Sequence, residues 1–359
     1  MNDLKFLKEC FKLAERGKGY VSPNPLVGAV LVKNGKIIGK GYHKKYGSSH
    51  AEVNAIKNSK VDVSGSTLYC NLEPCCHKNK QTPPCVPLII KKKIKRVVIS
   101  NLDPNKAVSE KGVKQLRDAG IEVVTGVLEK EGSELNKFYF KYTGEKLPFV
   151  TLKIAQSIDG KISLSKKEQI WLTGEKSIEF VHKLRSEYDA VLVGAGTIKT
   201  DNPLLTVRNV KGKNPIRIII DGKLRVSINS NVIECPDPQK TIIITSDTSN
   251  ERKIKQLSAK GIKLFKLKAS SNNQISLKSV MRLLARQEIT SVLVEGGIEI
   301  FTMFLEKNLF DEIIVLLTPK ILGKGIGAFN LKKLKRIKLS EAEKNGEDIK
   351  LVYRKNLSD

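Results

Sequence analysis

The most informative part of this chain reads Leu72-Glu73-Pro74-Cys75-Cys76-His77 and, after four more residues, Thr82-Pro83-Pro84-Cys85. An apolar run with strand character, residues 67–71, precedes it, and a segment of helical spacing follows it. Upstream, His50-Ala51-Glu52 opens another segment of helical spacing. These side chains therefore come at junctions between strand-like and helix-like segments, which is typical of an α/β fold.

Three of these residues form a predicted zinc site. His50, Cys75 and Cys85 offer one imidazole and two thiolates, the donor set that catalytic zinc takes when its fourth position is left to water. A cysteine at the start of a helix is shifted toward the thiolate form by the helix dipole. Because zinc lowers the pKa of water toward neutrality, that water becomes a nucleophile. We therefore expect one zinc ion per chain.

Glu52 is the predicted catalytic residue. It lies two residues from His50 and should not bind the metal, but it can take a proton from the water and pass it to a leaving nitrogen. A His-x-Glu motif followed by Pro-Cys is typical of zinc-dependent deaminases. Each part alone is weak, since His-Ala-Glu occurs by chance in helices and paired cysteines more often pack than bind metal. A set of His50, Cys76 and Cys85 is the alternative that the residue types leave open.

The pattern around this site predicts a first α/β unit. Helical spacing predicts helices at 2–17, 50–58, 86–93 and 110–119, and strand-like runs occupy 27–33, 36–41, 67–71, 96–100 and 121–125. Asn34-Gly35 between the first two strands is a strong hairpin signal. An initial hairpin followed by alternating strands and helices predicts a sandwich around a mixed sheet.

A second α/β unit follows a predicted boundary at residue 146. The stretch 142–148, Tyr-Thr-Gly-Glu-Lys-Leu-Pro, has turn or linker chemistry. Predicted strands lie at 150–155, 190–193, 216–221, 241–245, 291–295 and 312–318, and helices between them include 175–186 and 277–286. The sequence therefore predicts domains at 1–146 and 147–359.

The second unit has no Gly-x-Gly-x-x-Gly motif after a strand, so it is not an ordinary Rossmann domain. Val193-Gly194-Ala195-Gly196-Thr197 and Val294-Glu295-Gly296-Gly297 each place glycines directly after a strand, where backbone amides can approach a phosphate. Such a loop alone is more often a tight structural turn. Arg185 and Arg208 can clamp a phosphate, although an isolated arginine is usually a surface ion-pair partner.

Composition restricts the class of protein. The 359 residues are 40% apolar and 28% charged, as in an ordinary globular chain of two domains, and no run approaches the roughly 18 apolar residues of a membrane span. Six cysteines, three of them clustered, favour a metal or catalytic role in a reducing compartment over a disulfide framework. Since the first residues also lack the apolar core of a signal peptide, we expect a cytoplasmic protein without a membrane partner.

The net charge of +27 suggests a polyanionic partner, but its distribution argues against a nucleic-acid-binding tail. Residues up to Lys146 contain 27 basic and 14 acidic side chains, and the remainder contains 37 and 23, so the excess is spread evenly. The one basic run, residues 91–96, is interpreted as a solvated helix end, with a phosphate-steering patch as the alternative.

The whole set of motifs resembles the bifunctional deaminase-reductase family of riboflavin biosynthesis. Besides the zinc motifs, the resemblance rests on Ser22-Pro23-Asn24-Pro25-Leu26-Val27-Gly28-Ala29-Val30, Gly41-Tyr42-His43, Lys153–Lys161, Trp171-Leu172-Thr173 and Asp201–Arg208. It implies a cytidine-deaminase-like α/β/α domain followed by a dihydrofolate-reductase-like α/β domain. The implied reactions are removal of the 2-amino group of 2,5-diamino-6-(5-phosphoribosylamino)pyrimidin-4(3H)-one, and then NADPH-dependent reduction of its ribosyl group to ribityl.

The resemblance also implies roles for individual residues. Asn24 and His43 would lie at the substrate of the deaminase. The residues implied to line the NADPH site are Ala155, Trp171, Thr197, Asp201, Gly222 and Gly297. Those implied to meet the substrate of reduction are Gln169, Arg185, Leu205, Arg208 and Glu295, with the arginines near its phosphate. Lys153, Asp201 and Glu295 are the candidates for handling its protons.

Two stretches depart from the family pattern. In the first, Cys76 replaces a serine and the loop before Thr82 is one residue longer. Gln81 stands where the family has a basic residue, and the neighbouring Lys80 could supply that charge instead. Gln169 replaces a serine two residues before the tryptophan. Substrate contacts at these two loops are therefore expected to differ.

Two other classes of protein share part of this pattern. A transfer-RNA base deaminase shares the His-Ala-Glu and Pro-Cys motifs, but it usually carries Cys-x-x-Cys and leaves residues 147–359 unexplained. A basic RNA-binding protein with an inactive deaminase fold conflicts with the intact Glu52 and ligand set. We therefore expect a small phosphorylated pyrimidine as substrate, no specific nucleic-acid partner and, by analogy with both folds, a homo-oligomer.

Overall fold

The structure is a computed structural model that describes residues 3–77, 82–165, 170–270 and 274–355. The chain divides into two compact units, Met1–Lys146 and Leu147–Asp359. Within the part of the chain that the structure describes, no helix is both long and apolar enough to span a bilayer.

The first unit alternates helices and strands. Its helices are α1 (Asp3–Glu15), α2 (Ala51–Lys57), α3 (Cys85–Lys91), α4 (Lys111–Asp118), α5 (Glu129–Leu135) and α6 (Lys137–Glu145). Its strands are β1 (Gly28–Lys33), β2 (Lys36–Tyr42), β3 (Thr67–Leu72), β4 (Arg96–Asn101) and β5 (Glu122–Val124). Asn34 and Gly35 both have positive φ, 51° and 72°, as a tight hairpin turn requires, so the predicted hairpin is confirmed.

These five strands form one mixed sheet in the order β2-β1-β3-β4-β5. Strand β1 is antiparallel to β2 and β3, whereas β3, β4 and β5 are parallel. Because side chains alternate along a strand, Val97 and Ile99 pack under α2, α3 and α4, and Val98 packs on the other face against α1. The carboxyl ends of β3 and β4 therefore lie at the edge of the sheet where α2 and α3 begin.

The basic run at 91–96 is divided among three elements. Lys91 ends α3, Lys93 turns the chain with a φ of 52°, and Arg96 begins β4. The Arg96 guanidinium pairs with Asp3 at 3.0 Å and with Glu122 at 2.8 Å. This arrangement fits the interpretation as a solvated helix end, because the run presents no single basic face.

The second unit is built on a nine-stranded sheet. Its larger strands are β6 (Phe149–Ser157), β8 (Ala190–Gly194), β9 (Ile216–Ile220), β10 (Thr241–Ser246), β11 (Lys263–Leu267), β12 (Ser291–Gly296), β13 (Glu312–Thr318), β15 (Ile337–Asn345) and β16 (Asp348–Lys355), and β7 (Lys161–Ser163) pairs with β14 (Ile326–Gly327) in a separate ribbon. Its helices are α7 (Glu175–Glu187), α8 (Ala195–Asp201), α9 (Glu251–Ala259), α10 (Leu277–Arg286) and α11 (Ile298–Glu306).

The strands of this sheet lie in the order β11-β10-β9-β8-β12-β6-β13-β16-β15. The first seven strands in this order, from β11 through β6 to β13, are parallel to one another. Strands β16 and β15 are antiparallel and lie at one edge. Apolar clusters cover both faces, as buried parallel sheets require. The carboxyl ends of β6, β8, β9 and β12 consequently meet along one edge, the usual place for a ligand in an open α/β sheet.

Some elements differ from the sequence-based expectation. The predicted linker at 142–148 begins inside α6, because Gly144 is accommodated within that helix. Helices α5, α8, α9 and α11, strand β11 and the hairpin β15–β16 are not among the predicted elements. Strand β15 is exposed along most of its length, so it lacks the apolar alternation by which strands are recognised.

Candidate functional site

The first site lies where β3 ends and where α2 and α3 begin. His50 immediately precedes α2, Glu52 lies in its first turn, and Cys85 is the first residue of α3. The loop after β3 brings Cys75 beside α3, because its carbonyl oxygen accepts hydrogen bonds from the backbone N–H groups of Cys85, at 3.0 Å, and Val86, at 3.2 Å. Two helix starts and one strand end thus converge on a small volume.

His50, Cys75 and Cys85 are brought together as a metal site requires. The Nδ1 atom of His50 lies 3.4 Å from Sγ of Cys75 and 3.4 Å from Sγ of Cys85, and all three donor atoms lie within 4.8 Å of one another. Tetrahedral zinc with ordinary Zn–N and Zn–S lengths places such atoms about 3.5 Å apart. The donor types and their spacing therefore fit zinc.

The structure also distinguishes between the two adjacent cysteines. Cys75 is buried and belongs to the group of three donors, whereas Cys76 is partly exposed and packs against the apolar cluster under the sheet. On its other side, His50 places Nε2 3.0 Å from Oγ1 of Thr82. A histidine that binds metal through one nitrogen commonly donates its other N–H in this way, which fixes the ring.

Glu52 points a buried carboxylate into this site. Its side chain is 3% exposed, and its Oε2 atom has no hydrogen-bond partner among the described residues. Burial, and then the nearby Cys75 thiolate, raise the pKa of Glu52 above its usual value. A carboxyl group that accepts a proton readily and has an unused oxygen is suited to carry protons.

Asn24 and His43 lie next to the donors. The Nδ1–H of His43 donates to the carbonyl oxygen of Ser49 at 3.2 Å, so its Nε2 accepts from the Asn24 side-chain nitrogen at 3.1 Å. The ring of His43 meets that of His50 edge-on, with centroids 5.5 Å apart. Two polar groups thus line the approach to the three donors.

Sequence reasoning missed an acidic pair beside this site. Glu73 is buried and accepts backbone hydrogen bonds from Asp103, Glu110 and Val113, so it ties the loop of Cys75 to the start of α4. Burial raises the pKa of Asp103 to about 6, although its carboxylate accepts a hydrogen bond from Tyr139. Asp103 follows β4, the strand parallel to β3, and that position is the signal that could have identified it.

The second site is a cavity of about 1150 Å³ along the carboxyl ends of the parallel strands of the larger sheet. The expected residues that line it are Lys153, Ala155, Trp171, Arg185, Thr197, Asp201, Arg208, Gly222, Glu295 and Gly297. Gln169 lies outside the described residues, as do Lys80 and Gln81 of the first unit. Leu205 does not line the cavity; its side chain is 3% exposed and packs into the core beside β8.

A charged cluster occupies one wall of the cavity. The Arg185 guanidinium donates to both carboxylate oxygens of Glu295, at 2.6 and 2.8 Å, and the Lys153 ammonium lies 3.4 Å from Glu295. Burial alone would raise the pKa of Glu295, but the charges of Arg185 and Lys153 outweigh it and lower the pKa to about 2. Glu295 is therefore an anion at neutral pH.

The same wall presents positive charge to the cavity. Arg185 and Arg208 both line the cavity, and burial together with the charge of Arg185 lowers the pKa of Arg208. His182, which sequence reasoning missed, also lines the cavity and places Nδ1 3.1 Å from the carbonyl oxygen of Thr206. Cations that face one another are stabilised by an anion between them, so this wall is suited to a phosphate.

The glycine loops allow close approach to the cavity. A Cβ added at Gly296 would lie 3.2 Å from Oγ1 of Thr197, and Gly297 has a φ of 81° at the start of α11. The 294–297 loop is therefore a tight turn, whereas residues 193–197 pass directly from β8 into α8. Both segments line the cavity, where backbone groups can meet a bound molecule. The structural and the ligand-binding interpretations of these loops are compatible.

Comparisons with family models match both units. Residues 1–101 match the model of the cytidine and deoxycytidylate deaminase zinc-binding region. Residues 148–351 match the model of the RibD C-terminal domain. The predicted α/β fold class, with a cytidine-deaminase-like first domain, is confirmed by these matches.

Full-length relatives are similar to nearly the whole chain. The riboflavin biosynthesis protein RibD of Aquifex aeolicus is 41% identical, with 98% of each chain covered, and that of Bacillus amyloliquefaciens is 40% identical, with 97% of this chain and 95% of the relative covered. The solved structure of Acinetobacter baumannii RibD superposes with a TM-score of 0.90 at 32% identity, covering 99% of each chain. A Thermotoga maritima diaminohydroxyphosphoribosylaminopyrimidine deaminase/5-amino-6-(5-phosphoribosylamino)uracil reductase gives a TM-score of 0.86 at 37% identity, also over 99% of each chain.

Proposed function

The chain belongs to the RibD family of riboflavin biosynthesis proteins, and from this premise we propose which part of it performs each of the family's two reactions. It is a bifunctional enzyme, a zinc-dependent deaminase and an NADPH-dependent reductase. We assign the deaminase to residues 1–146 and the reductase to residues 147–359. Support for this division comes from the two family models, which match separate units.

In the first unit, His50, Cys75 and Cys85 would hold the zinc ion. When bound, zinc makes a water molecule acidic enough to attack carbon at neutral pH. The Glu52 carboxylate, whose Oε2 is unpaired among the described residues, would take a proton from the attacking water and deliver it to the amino nitrogen that leaves as ammonia. Asn24 and His43 orient the pyrimidine ring. One water is consumed and one ammonia released for each pyrimidine phosphate converted.

In the second unit, the cavity would bind NADPH and the deaminated pyrimidine phosphate. Arg185 and Arg208 provide positive charge for the phosphate. NADPH supplies a hydride for C1′ of the opened ribosyl group. Ring opening moves a proton to the ribose oxygen and leaves a C1′=N double bond, so the proton that balances the hydride goes to this nitrogen. Since Glu295 is held as an anion, that proton comes from Lys153 or from Asp201, whose pKa is raised by burial.

The observation that carries the deaminase assignment is the Oε2 atom of Glu52, which has no hydrogen-bond partner in the described part of the chain and lies beside three donors at zinc spacing. Changing Glu52 to Gln should leave zinc bound but lower deamination at least 1000-fold, because the proton carrier is lost and no ligand is changed. The measurement is ammonia release from the pyrimidine phosphate, with zinc content determined on the same sample.

A matched control is Glu15→Gln, an exposed carboxylate at the end of α1. It should deaminate like the wild type, and Glu52→Gln should still reduce the deaminated intermediate with NADPH. Deamination by Glu52→Gln within tenfold of the wild-type rate would remove Glu52 from the proposed role.

The substrate, location and assembly belong to the same proposal. A small phosphorylated pyrimidine is favoured over a transfer RNA because relatives match the entire chain, including the second unit. All six cysteines lie within the described residues and none is in a disulfide, as in proteins of a reducing compartment such as the cytoplasm. A homo-oligomer is proposed by analogy with both folds. Ammonia release from the pyrimidine phosphate, compared with that from an anticodon hairpin, tests the choice of substrate.

A further inference from the structure

Trp171 is the single tryptophan of the chain and lies at the edge of the large cavity. Its side chain is 65% exposed, which is high for an aromatic residue of this size. Together with Ile170, Leu172 and Thr173 it contributes one continuous stretch of the cavity wall. An aromatic ring held open at a cavity edge offers a flat apolar surface to whatever enters.

The backbone beside Trp171 is held by the end of strand β13. Leu172 is buried, and its carbonyl oxygen accepts two hydrogen bonds, from Oγ1 of Thr318 at 3.0 Å and from Nζ of Lys320 at 2.7 Å. The same ammonium group donates to the carbonyl oxygen of Trp171 at 3.3 Å. One lysine therefore bridges two consecutive carbonyl groups of the loop that carries the tryptophan.

Lys320 is itself anchored to the central sheet. Its carbonyl oxygen accepts a hydrogen bond from the N–H of Ile158, directly after β6, at 2.9 Å. The next residues are tied down by Asp159, whose carboxylate accepts from the N–H groups of Leu322 and Gly323. A continuous set of hydrogen bonds thus runs from the core strand β6 to the Trp171 loop.

The core does not require the Lys320 charge. Lys320 is exposed, and Thr318 and the buried Leu172 side chain already fix the inner part of the loop. What the ammonium adds is a charge-assisted bond at the outer part, next to the tryptophan. Its consequence falls on the position of Trp171 and not on the folding of the unit.

We propose that Lys320 is a positioning residue, which holds Trp171 in the orientation that covers the dinucleotide bound in this cavity. This inference rests on the proposed reductase function. Without Lys320, Trp171 samples several orientations, and NADPH must order it on binding. The loss therefore falls on cofactor affinity, while the chemical step on bound substrate is spared.

Because the chain has one tryptophan, its fluorescence reports on this loop directly. In the full-length enzyme, NADPH should quench the Trp171 emission. Lys320→Met should raise the dissociation constant measured in this way, and the KM for NADPH, roughly tenfold, with kcat within about twofold. It should also lower the fluorescence anisotropy of Trp171 before NADPH is added.

The matched control is Lys324→Met, which removes the same charge from an exposed lysine of the same segment. It should bind NADPH like the wild type, and Lys320→Arg should restore most of the affinity. Deamination measures the integrity of the rest of the chain and should be unchanged in all variants.

If Lys320→Met and Lys324→Met have the same anisotropy and NADPH affinity, the inference is overturned. If the wild type reduces the deaminated intermediate but shows no quenching by NADPH, Trp171 does not cover the dinucleotide and the inference is overturned. If the wild type does not reduce the intermediate at all, the proposed reductase function fails.

Discussion

Glu52 and Glu295 are both buried carboxylates, and their surroundings give them opposite properties. Burial, and then the nearby Cys75 thiolate, raise the pKa of Glu52 although His50 lowers it, so this carboxyl group can take up and release a proton. Arg185 and Lys153 lower the pKa of Glu295 to about 2, so it keeps its charge. The role of a carboxyl group is thus set by its neighbours and not by its residue type.

Glu295 should stabilise the second unit in a pH-dependent way. Since its pKa is about 2 in the folded protein and 4.5 is its ordinary value, the unfolded chain takes up the proton first as the pH falls. The stabilisation, about 3 kcal/mol, is present above pH 4.5 and is lost as the pH falls toward 2. Urea unfolding of the wild type and of Glu295→Gln should therefore differ most above pH 5.

The control for this experiment is Glu306→Gln, an exposed carboxylate at the end of α11. It should unfold like the wild type at every pH. A free-energy difference between wild type and Glu295→Gln that stays constant down to pH 3 would contradict the paired state of Glu295.

At the residue scale, the sequence was most informative where one short motif carries the chemistry. His50, Cys75 and Cys85 were proposed as ligands from residue type and order, and the structure brings their donor atoms together. Asp103 and Thr82 were not proposed, because their place beside the site depends on how separate loops meet. Nothing in the local sequence specifies such a contact.

At the scale of elements, the first site depends on how closely α2 packs against β2. A Cβ added at Gly41 would lie 2.3 Å from the backbone nitrogen of Ala55 and 2.4 Å from the carbonyl oxygen of Ala51. Backbone atoms cannot yield as side chains do, so only glycine permits this distance. The helix that presents His50 and Glu52 is positioned by this contact.

Gly41→Ala should therefore move α2 away from the sheet. We expect a loss of about 3 kcal/mol in the free energy of unfolding and weaker zinc binding, because His50 moves relative to the cysteines. Gly144→Ala is the control, since nothing lies within 4 Å of its added Cβ in helix α6 and it should stabilise by about 0.5–1 kcal/mol. Thermal unfolding and zinc titration measure both effects, and equal behaviour of the two variants would show that α2 is not held by this contact.

Elements were predictable from the sequence in proportion to their burial. Strand β4 is buried along nearly all of its length and was found from its apolar run. Strand β15 is mostly exposed, and no apolar pattern marks it. Helix α6 has no buried residue by which its face could be recognised, and its Tyr142-Thr143-Gly144 stretch has the composition of a turn. Elements at an edge are held by tertiary contacts that the local pattern does not record.

At the scale of the whole molecule, two chemistries are placed on two separately packed units. Each site lies at the carboxyl ends of parallel strands, in sheets of different strand order. The net charge of +27 is spread over both units, and it attracts anionic molecules in general. The two candidate sites are thus built from different residues.

The most direct test of this account is the zinc content of three single serine variants. Cys75→Ser and Cys85→Ser should each purify with less than about a tenth of the wild-type zinc and lose deamination, yet still reduce the deaminated intermediate. Cys76→Ser should retain one zinc ion per chain. Zinc that is lost from Cys76→Ser and kept by Cys75→Ser, or a wild-type enzyme that deaminates without any zinc, would contradict the central claim.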